Sequence, residues 1–146
     1  MKKIVIIMGS DSDQPHANKI IEGLEKCDGY APSSFLLEVF AASAHREPRK
    51  VLEILDRYKD HHALVFITIA GRSNALSGFC AANTRQPVIA CPPFADQVDM
   101  LVNINSTLQM PSNTPVLTVI DPGNAALAAV RILSLADCSG SSRKES

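Results

Sequence analysis

Short apolar runs and helical periods alternate along the whole chain. Lys3–Met8 is a continuous, β-branched run, the pattern of a strand buried on both faces. Ala17, Ile20, Ile21, Leu24 and Cys27 then recur at helical spacing and form one stripe. Ser34–Phe40 predicts a second strand. Pro48 suits the first turn of a helix whose apolar face is Val51, Leu52, Leu55 and Tyr58. The strongest strand pattern is ALVFITIAG (63–71), followed by a short helix from Asn74 to Asn83. PVIAC (87–91) predicts a fourth strand, residues 97–107 a helical segment, and PVLTVI (115–120) a fifth strand. Asp121 and Pro122 are an N-cap and first-turn pair opening an alanine-rich helix to Ala136. The end, SGSSRKES (139–146), is polar and is expected to be a disordered tail.

Strands separated in this way by helices predict an α/β fold: a parallel sheet with helices on both faces. The count and length fit a three-layer αβα, flavodoxin-like arrangement with a five-stranded sheet in the order 2-1-3-4-5, formed by a single domain over residues 1–138. Ligands of such sheets bind outside the carboxyl ends of the strands, where the strand order switches. That rule selects the loops 9–13, 41–47 and 70–77, which hold most of the chain's unusual residues.

Composition narrows the classes. The 146 residues are 46% hydrophobic and 20% charged, enough to bury a proper core. A net charge of −1 gives no footprint for nucleic acid or for an anionic membrane surface. No apolar run approaches the roughly 18 residues of a spanning helix. MKKIVIIMGS has lysines before an apolar stretch, but that stretch is short for a signal peptide and no small-residue cleavage site follows. Cys27, Cys80, Cys91 and Cys138 form no C-x-x-C pair and sit among apolar neighbours, as reduced core thiols do. The expected location is the cytoplasm.

The first loop, GSDSD (9–13), has two readings. As a helix N-cap, Asp or Ser meets free amides and Gly9 makes the turn, with no ligand involved. As a ligand loop, the same amides and the positive end of a helix suit a phosphate, and serine hydroxyls add donors. An aspartate would repel that phosphate, so at least one carboxylate suits a ribose diol instead. On this second reading the loop takes a sugar phosphate. It matches neither the P-loop nor G-x-G-x-x-G, which weighs against ATP and NAD. The second loop, ASAHREP (42–48), offers His45 just past a strand and Arg46 beside it. An unperturbed imidazole titrates near about 6.5, suited to proton transfer, and Arg46 supplies a phosphate cation. His61 and His62 fall at the opposite edge, and His16 on the first helix is a poor candidate. In the third loop, IAGRSNALSG (69–78), Gly71 and Gly78 permit close backbone approach while Arg72, Ser73 and Asn74 bring donors. The alternative there is again an N-cap, at Ser73 or Asn74. No metal-ligand spacing is present.

GSDSD, SAHREP and AGRSNALSG, in that order and spacing, resemble the 5-aminoimidazole ribonucleotide carboxylase family of purine biosynthesis. The resemblance extends over residues 4–134, including PVIACPP (87–93), LQMPSNTPV (108–116) and NAALAAVRIL (124–133). It implies a flavodoxin-like domain assembled into a homo-octamer, a substrate that is an aminoimidazole ribose phosphate, and no cofactor. Two branches exist. One carboxylates aminoimidazole ribonucleotide directly with carbon dioxide. The other is a mutase that moves a carboxylate from the exocyclic amine of N-carboxyaminoimidazole ribonucleotide to the ring carbon. Mutases usually carry a third loop like GGAAHLPG, with a second histidine. This chain has GRSNALSG and an ACPP resembling the direct carboxylases, whereas Arg46 is typical of mutases. The resemblance implies that Gly9, Ser10, Asp13 and Arg46 hold the ribose phosphate, and that Ser43, His45, Gly71, Ser73 and Asn74 surround the ring and carbon dioxide.

The chemistry of such a substrate is direct. An aminoimidazole is enamine-like, so its C4 attacks carbon dioxide unaided, and His45 is the edge residue of a type suited to removing the C4 proton afterwards. Metal, biotin and ATP are not needed. Two other classes compete. An FMN electron carrier would want aromatic residues on its flavin, but the chain has no Trp, and its two Tyr, Tyr30 and Tyr58, lie outside the edge loops. A receiver-like binding module would need an aspartate ending the third strand, where Ala70–Gly71 stands. The alanine-rich final helix suits tight subunit packing.

Overall fold

The computed structural model describes residues 1–27 and 34–140. Its strands are β1 (Lys2–Met8), β2 (Phe35–Ala41), β3 (Leu64–Ile69), β4 (Val88–Ala90) and β5 (Leu117–Thr118). The helices are α1 (Gln14–Glu25), α2 (Pro48–Arg57), α3 (Ala75–Ala82), α4 (Gln97–Asn103), α5 (Asn105–Leu108) and α6 (Pro122–Ser134). All strand pairs are parallel, and the sheet order is β2-β1-β3-β4-β5, as the alternation of patterns predicts.

The run Ile4–Met8 is buried on both sides because alternate residues serve different layers. Ile4, Ile6 and Met8 join Ile20 and Leu24 of α1, Ile67 and Ile69 of β3, and the buried face of α6. Val5 and Ile7 join Val51, Ile54 and Leu55 of α2, Phe66 of β3, and Leu76 and Cys80 of α3. Each such side chain contributes roughly 1.5–3 kcal/mol of burial.

Four boundaries differ from the sequence pattern. A 3-10 turn over Asp11–Asp13 leads into α1, so helical structure begins within the serine–aspartate loop. The segment 97–107 is two helices. At their junction the Asn103 amide donates to the Asp99 carbonyl at 3.2 Å and the Ser106 hydroxyl to the Asn103 carbonyl at 3.0 Å, so side chains compete with the helical ladder. β5 is reduced to two residues at the sheet edge, extended by one bond from Val119 N to the Ala90 carbonyl at 2.9 Å. A 3-10 turn over Leu135–Gly140 carries regular structure two residues into the stretch expected to be a disordered tail; residues 141–146 lie outside the described ones.

The alanines of α6 have a different role from the subunit packing expected of them. Ala125, Ala126 and Ala129 are fully buried within the chain. A Cβ added to Gly23 of α1 would lie 3.0 Å from the Ala126 Cβ and 3.1 Å from the Gly123 Cα. Small residues therefore let α1 and α6 approach closely over the sheet. One group of exposed apolar side chains sits elsewhere, at Val98, Leu101 and Val102 of α4.

Candidate active site

Strand register brings the loops together. Met8 is paired with Ala41 on one side and Ile69 on the other, so β1, β2 and β3 end level. The backbone continues the alignment: Gly9 N donates to the Ile69 carbonyl and Ala42 N to the Met8 carbonyl, at 2.9 and 2.8 Å. The chain segments that follow surround a cavity of about 540 Å³ at the carboxyl edge. Gly9, Ser10, Asp13, Ser43, His45, Arg46, Gly71 and Ser73 all line it. Asn74, the ninth residue expected there, does not.

In the first loop the capping residue is Ser10. Its backbone is extended and its Oγ accepts from Ser12 N at 3.3 Å, with the Ser12 hydroxyl 2.9 Å away. Asp13 precedes α1 and makes no side-chain capping bond, so its carboxylate stays available for a ligand's hydroxyls. Loss of solvent raises its pKa above the ordinary 3.8, opposed by a backbone hydrogen bond at Ser10. The two readings of GSDSD thus divide between its residues: the serine caps, and the aspartate faces the cavity.

In the second loop Ser43 is buried, and its Oγ accepts from Arg46 N at 3.2 Å. That bond turns the chain so that His45 and Arg46 stand exposed at the cavity. The His45 Nε2–H donates to the Ser73 carbonyl at 3.0 Å, joining the second and third loops. A carbonyl only accepts, so the facing nitrogen carries the proton, and the neutral ring keeps its lone pair on Nδ1. In the third loop a Cβ on Gly71 would lie 3.2 Å from the Pro93 carbonyl, so a side chain there would push against the loop after β4.

Asn74, expected among the substrate contacts, is instead placed outside the cavity lining. It is 4% exposed and caps α3, its Oδ1 accepting from Ser77 N at 3.1 Å. Its amide donates to the Ser77 and Thr107 hydroxyls at 2.8 and 2.9 Å. Every polar atom of the side chain is turned inward, which is the capping alternative open for this loop in the sequence.

The cavity also takes residues outside the expected set. Ser12, Arg72 and Leu76 belong to stretches already singled out, but Pro93, Phe94 and Asp99 come from the connection after β4. The switch-point rule selects the loops of the first three strands and passes over this one. The signal available was CPPFADQVD (91–99), which follows a short strand at the same edge. Asp99 accepts from Ala95 N at 2.8 Å and from the Asn103 amide at 2.6 Å; these bonds, with the charge of Arg72, hold its carboxyl below the ordinary range.

The remaining histidines stay outside the cavity lining. His16 is half-buried with Nε2 3.5 Å from Cys91 Sγ, and burial lowers its pKa. The His61 Nε2–H donates to the Met1 carbonyl at 2.7 Å at the opposite edge. Burial pushes the Cys80 and Cys91 thiols up to about 12, so both stay protonated and unreactive at neutral pH. Among the described residues no group of three or more His, Cys, Asp or Glu could hold a metal ion, and no helix is long and apolar enough to cross a membrane.

Fold and cavity together define a flavodoxin-like α/β domain with a polar, small-molecule-sized cleft at the switch point of its sheet. The chain belongs to the AIR carboxylase family, whose model matches residues 3–145. It is similar to a phosphoribosylaminoimidazole carboxylase of Archaeoglobus fulgidus, at 45% identity over 92% of this chain and 71% of that protein. It is also similar, at 45% identity over 92% of this chain and 80% of the relative, to a protein of Methanocaldococcus jannaschii named N5-carboxyaminoimidazole ribonucleotide mutase. A crystal structure of Treponema denticola PurE superposes with a TM-score of 0.80 at 39% identity, covering 92% of this chain and 82% of that one.

Proposed function

We propose that this protein carboxylates C4 of 5-aminoimidazole ribonucleotide directly with carbon dioxide, giving 4-carboxy-5-aminoimidazole ribonucleotide. Family names divide between the two branches, so the branch rests on the cavity. Among the described residues that line it, His45 is the one histidine, and the third loop offers Arg72, Ser73 and Asn74, followed by Ala75, where mutases usually carry small residues and a second histidine. A mutase must accept a carboxylate already on the exocyclic amine, release it and hold it for transfer. A direct carboxylase needs only to admit carbon dioxide beside the bound ring.

The reaction uses the groups described. Arg46 pairs with the phosphate, the Ser10 hydroxyl donates to it, and Asp13 accepts from the ribose hydroxyls. The C4 electron pair attacks the carbon of carbon dioxide, forming the C–C bond and leaving C4 tetrahedral with its hydrogen and the new carboxylate. Transfer of that hydrogen as a proton to His45 Nδ1 restores the aromatic ring. The amides of Asn74 and Ala75 already donate to the Ser106 hydroxyl and the Ser73 carbonyl, at 2.9 and 2.8 Å. The amides around Gly71 and Ser73 would stabilise the carboxylate, in the manner of an oxyanion hole. No step calls for metal, biotin or ATP. The exposed apolar side chains of α4 suit a homo-oligomer, an octamer by the family resemblance, and the expected place of action is the cytoplasm.

The test is an assay of the purified protein with each substrate. Aminoimidazole ribonucleotide plus dissolved carbon dioxide is expected to give the ring-carboxylated product without ATP or added metal. Carbonic anhydrase should speed the early phase of a bicarbonate-fed reaction. Rapid use of N-carboxyaminoimidazole ribonucleotide, with little turnover of the parent compound at modest bicarbonate, would make the protein a mutase.

A further inference from the structure

The bond that orients His45 ends on a backbone carbonyl in a loop, and a loop carbonyl is only as well placed as the peptide that bears it. Ser73 O accepts twice, from His45 Nε2 at 3.0 Å and from Ala75 N at 2.8 Å. The next residue ties that peptide to three elements. Asn74 N donates to the Ser106 hydroxyl of α5 at 2.9 Å. The Asn74 amide reaches Ser77 of α3 and Thr107 of α5 at 2.8 and 2.9 Å. Ser77 Oγ in turn lies 2.7 Å from the Thr68 hydroxyl of β3. Asn74, Ser77, Thr68 and Thr107 are all buried, with no more than 4% exposure. In such surroundings a polar group that loses its partner costs about 1–3 kcal/mol, so the network favours a single geometry.

We propose that Asn74, braced by Thr107, is a positioning residue for the reaction: it holds the Ser73 carbonyl where it selects the Nε2–H tautomer of His45 and leaves Nδ1 as the base. The proposal rests on the reading of His45 as the group that moves the C4 proton. Asn74 is not among the residues that line the cavity and works through the adjoining peptide. With the carbonyl displaced, the ring is free to rotate or to carry its proton on Nδ1, and in that form the lone pair points away from its place in the native site.

The test uses the whole protein with ¹⁵N-labelled histidine, reading the His45 ring nitrogens by NMR at a pH where the imidazole is neutral, alongside steady-state kinetics. Wild type is expected to show His45 as the Nε2–H tautomer. Asn74→Ala and Thr107→Val should both give a mixed tautomer and lower kcat, about tenfold to the ~10²-fold that an ångström of misplacement costs, with KM changed less than about threefold. Thr107→Ser, which keeps the hydroxyl, should restore both signals. Should Asn74→Ala fail to fold, Thr107→Val carries the test, because it removes one hydrogen bond and leaves the cap of α3 in place. Wild-type ring shifts in a folded Asn74→Ala or Thr107→Val variant would overturn the proposal. A shifted tautomer with unchanged turnover would instead overturn the role of His45 in proton transfer.

Discussion

Two edges of one sheet carry clefts of comparable size and unlike chemistry. At the carboxyl edge the cavity is about 540 Å³; at the amino edge a cleft of about 650 Å³ lies between the ends of α2 and α3, lined by Lys59, Asp60, Arg85 and Gln86 among others. Each edge even has a histidine whose Nε2–H donates to a backbone carbonyl, His45 to Ser73 and His61 to Met1. What differs is the backbone around them. Helices begin at the carboxyl edge and present amides, which favour anions. They end at the amino edge and present carbonyls, and there the Gln86 amide already donates to the Tyr58, Lys59 and His61 carbonyls at 3.1, 3.3 and 2.8 Å. Cavity size therefore does not identify the functional edge. The direction of the helices does, together with polar groups that remain available.

The largest expected effect tests the two histidines against each other. His45→Asn should lower turnover by about 10² to 10⁴, the usual worth of a general acid–base, while substrate binding measured by calorimetry survives. His61→Asn should leave turnover near wild type. Equal losses from both variants would remove the distinction between the edges, and lost binding in a folded His45→Asn protein would make His45 a ligand-holding residue.

The arginines provide the next contrast. Arg46→Ala should weaken every phosphorylated ligand about ten- to a hundredfold, the equivalent of roughly 1.5–3 kcal/mol for a charge-assisted bond. The dephosphorylated nucleoside should bind as before, and Arg85→Ala should change neither affinity. Comparable weakening of nucleoside and nucleotide in Arg46→Ala would place the phosphate elsewhere.

The smallest effect is on stability. Burial raises the folded-state pKa of Asp13 above 3.8, so the native state binds protons more readily there than the unfolded chain does. Such a group adds stability that is fully present below the unfolded pKa and lost as pH rises through the folded one. At neutral pH the charged Asp13 is thus a cost to the unliganded fold. Asp13→Asn should raise Tm slightly at neutral pH while weakening ribose binding, and the gain should disappear as pH falls into the carboxylate range. A neutral-pH Tm at or below wild type would mean the carboxylate is better stabilised in the free protein than its surroundings indicate.

Much of the site was legible in the chain because loops after buried strands concentrate residues that serve no core. GSDSD and SAHREP interrupt apolar patterns abruptly, and Ser10, Asp13, Ser43, His45 and Arg46 all reach the cavity. Asn74 does not line the cavity, and the physical reason is that an asparagine at a helix start is equally suited to bind a ligand or to cap. Only its partners, Ser77 and Thr107, decide between the two. Phe94 and Asp99 escaped because their place in the cavity depends on how the connection after β4 folds back, which no local period encodes.

The amino-acid sequence by itself determined the strand and helix alternation, the parallel sheet and the polar loops at its carboxyl edge. These follow from periodicity and from glycine and proline positions, which act over a few residues. Tertiary structure alone decided the level ends of β1, β2 and β3, the bond from His45 to the Ser73 carbonyl, the inward turn of Asn74 and the use of the α6 alanines against α1. Each depends on register and close packing between segments distant in the chain, and such contacts exist only once the whole sheet has formed.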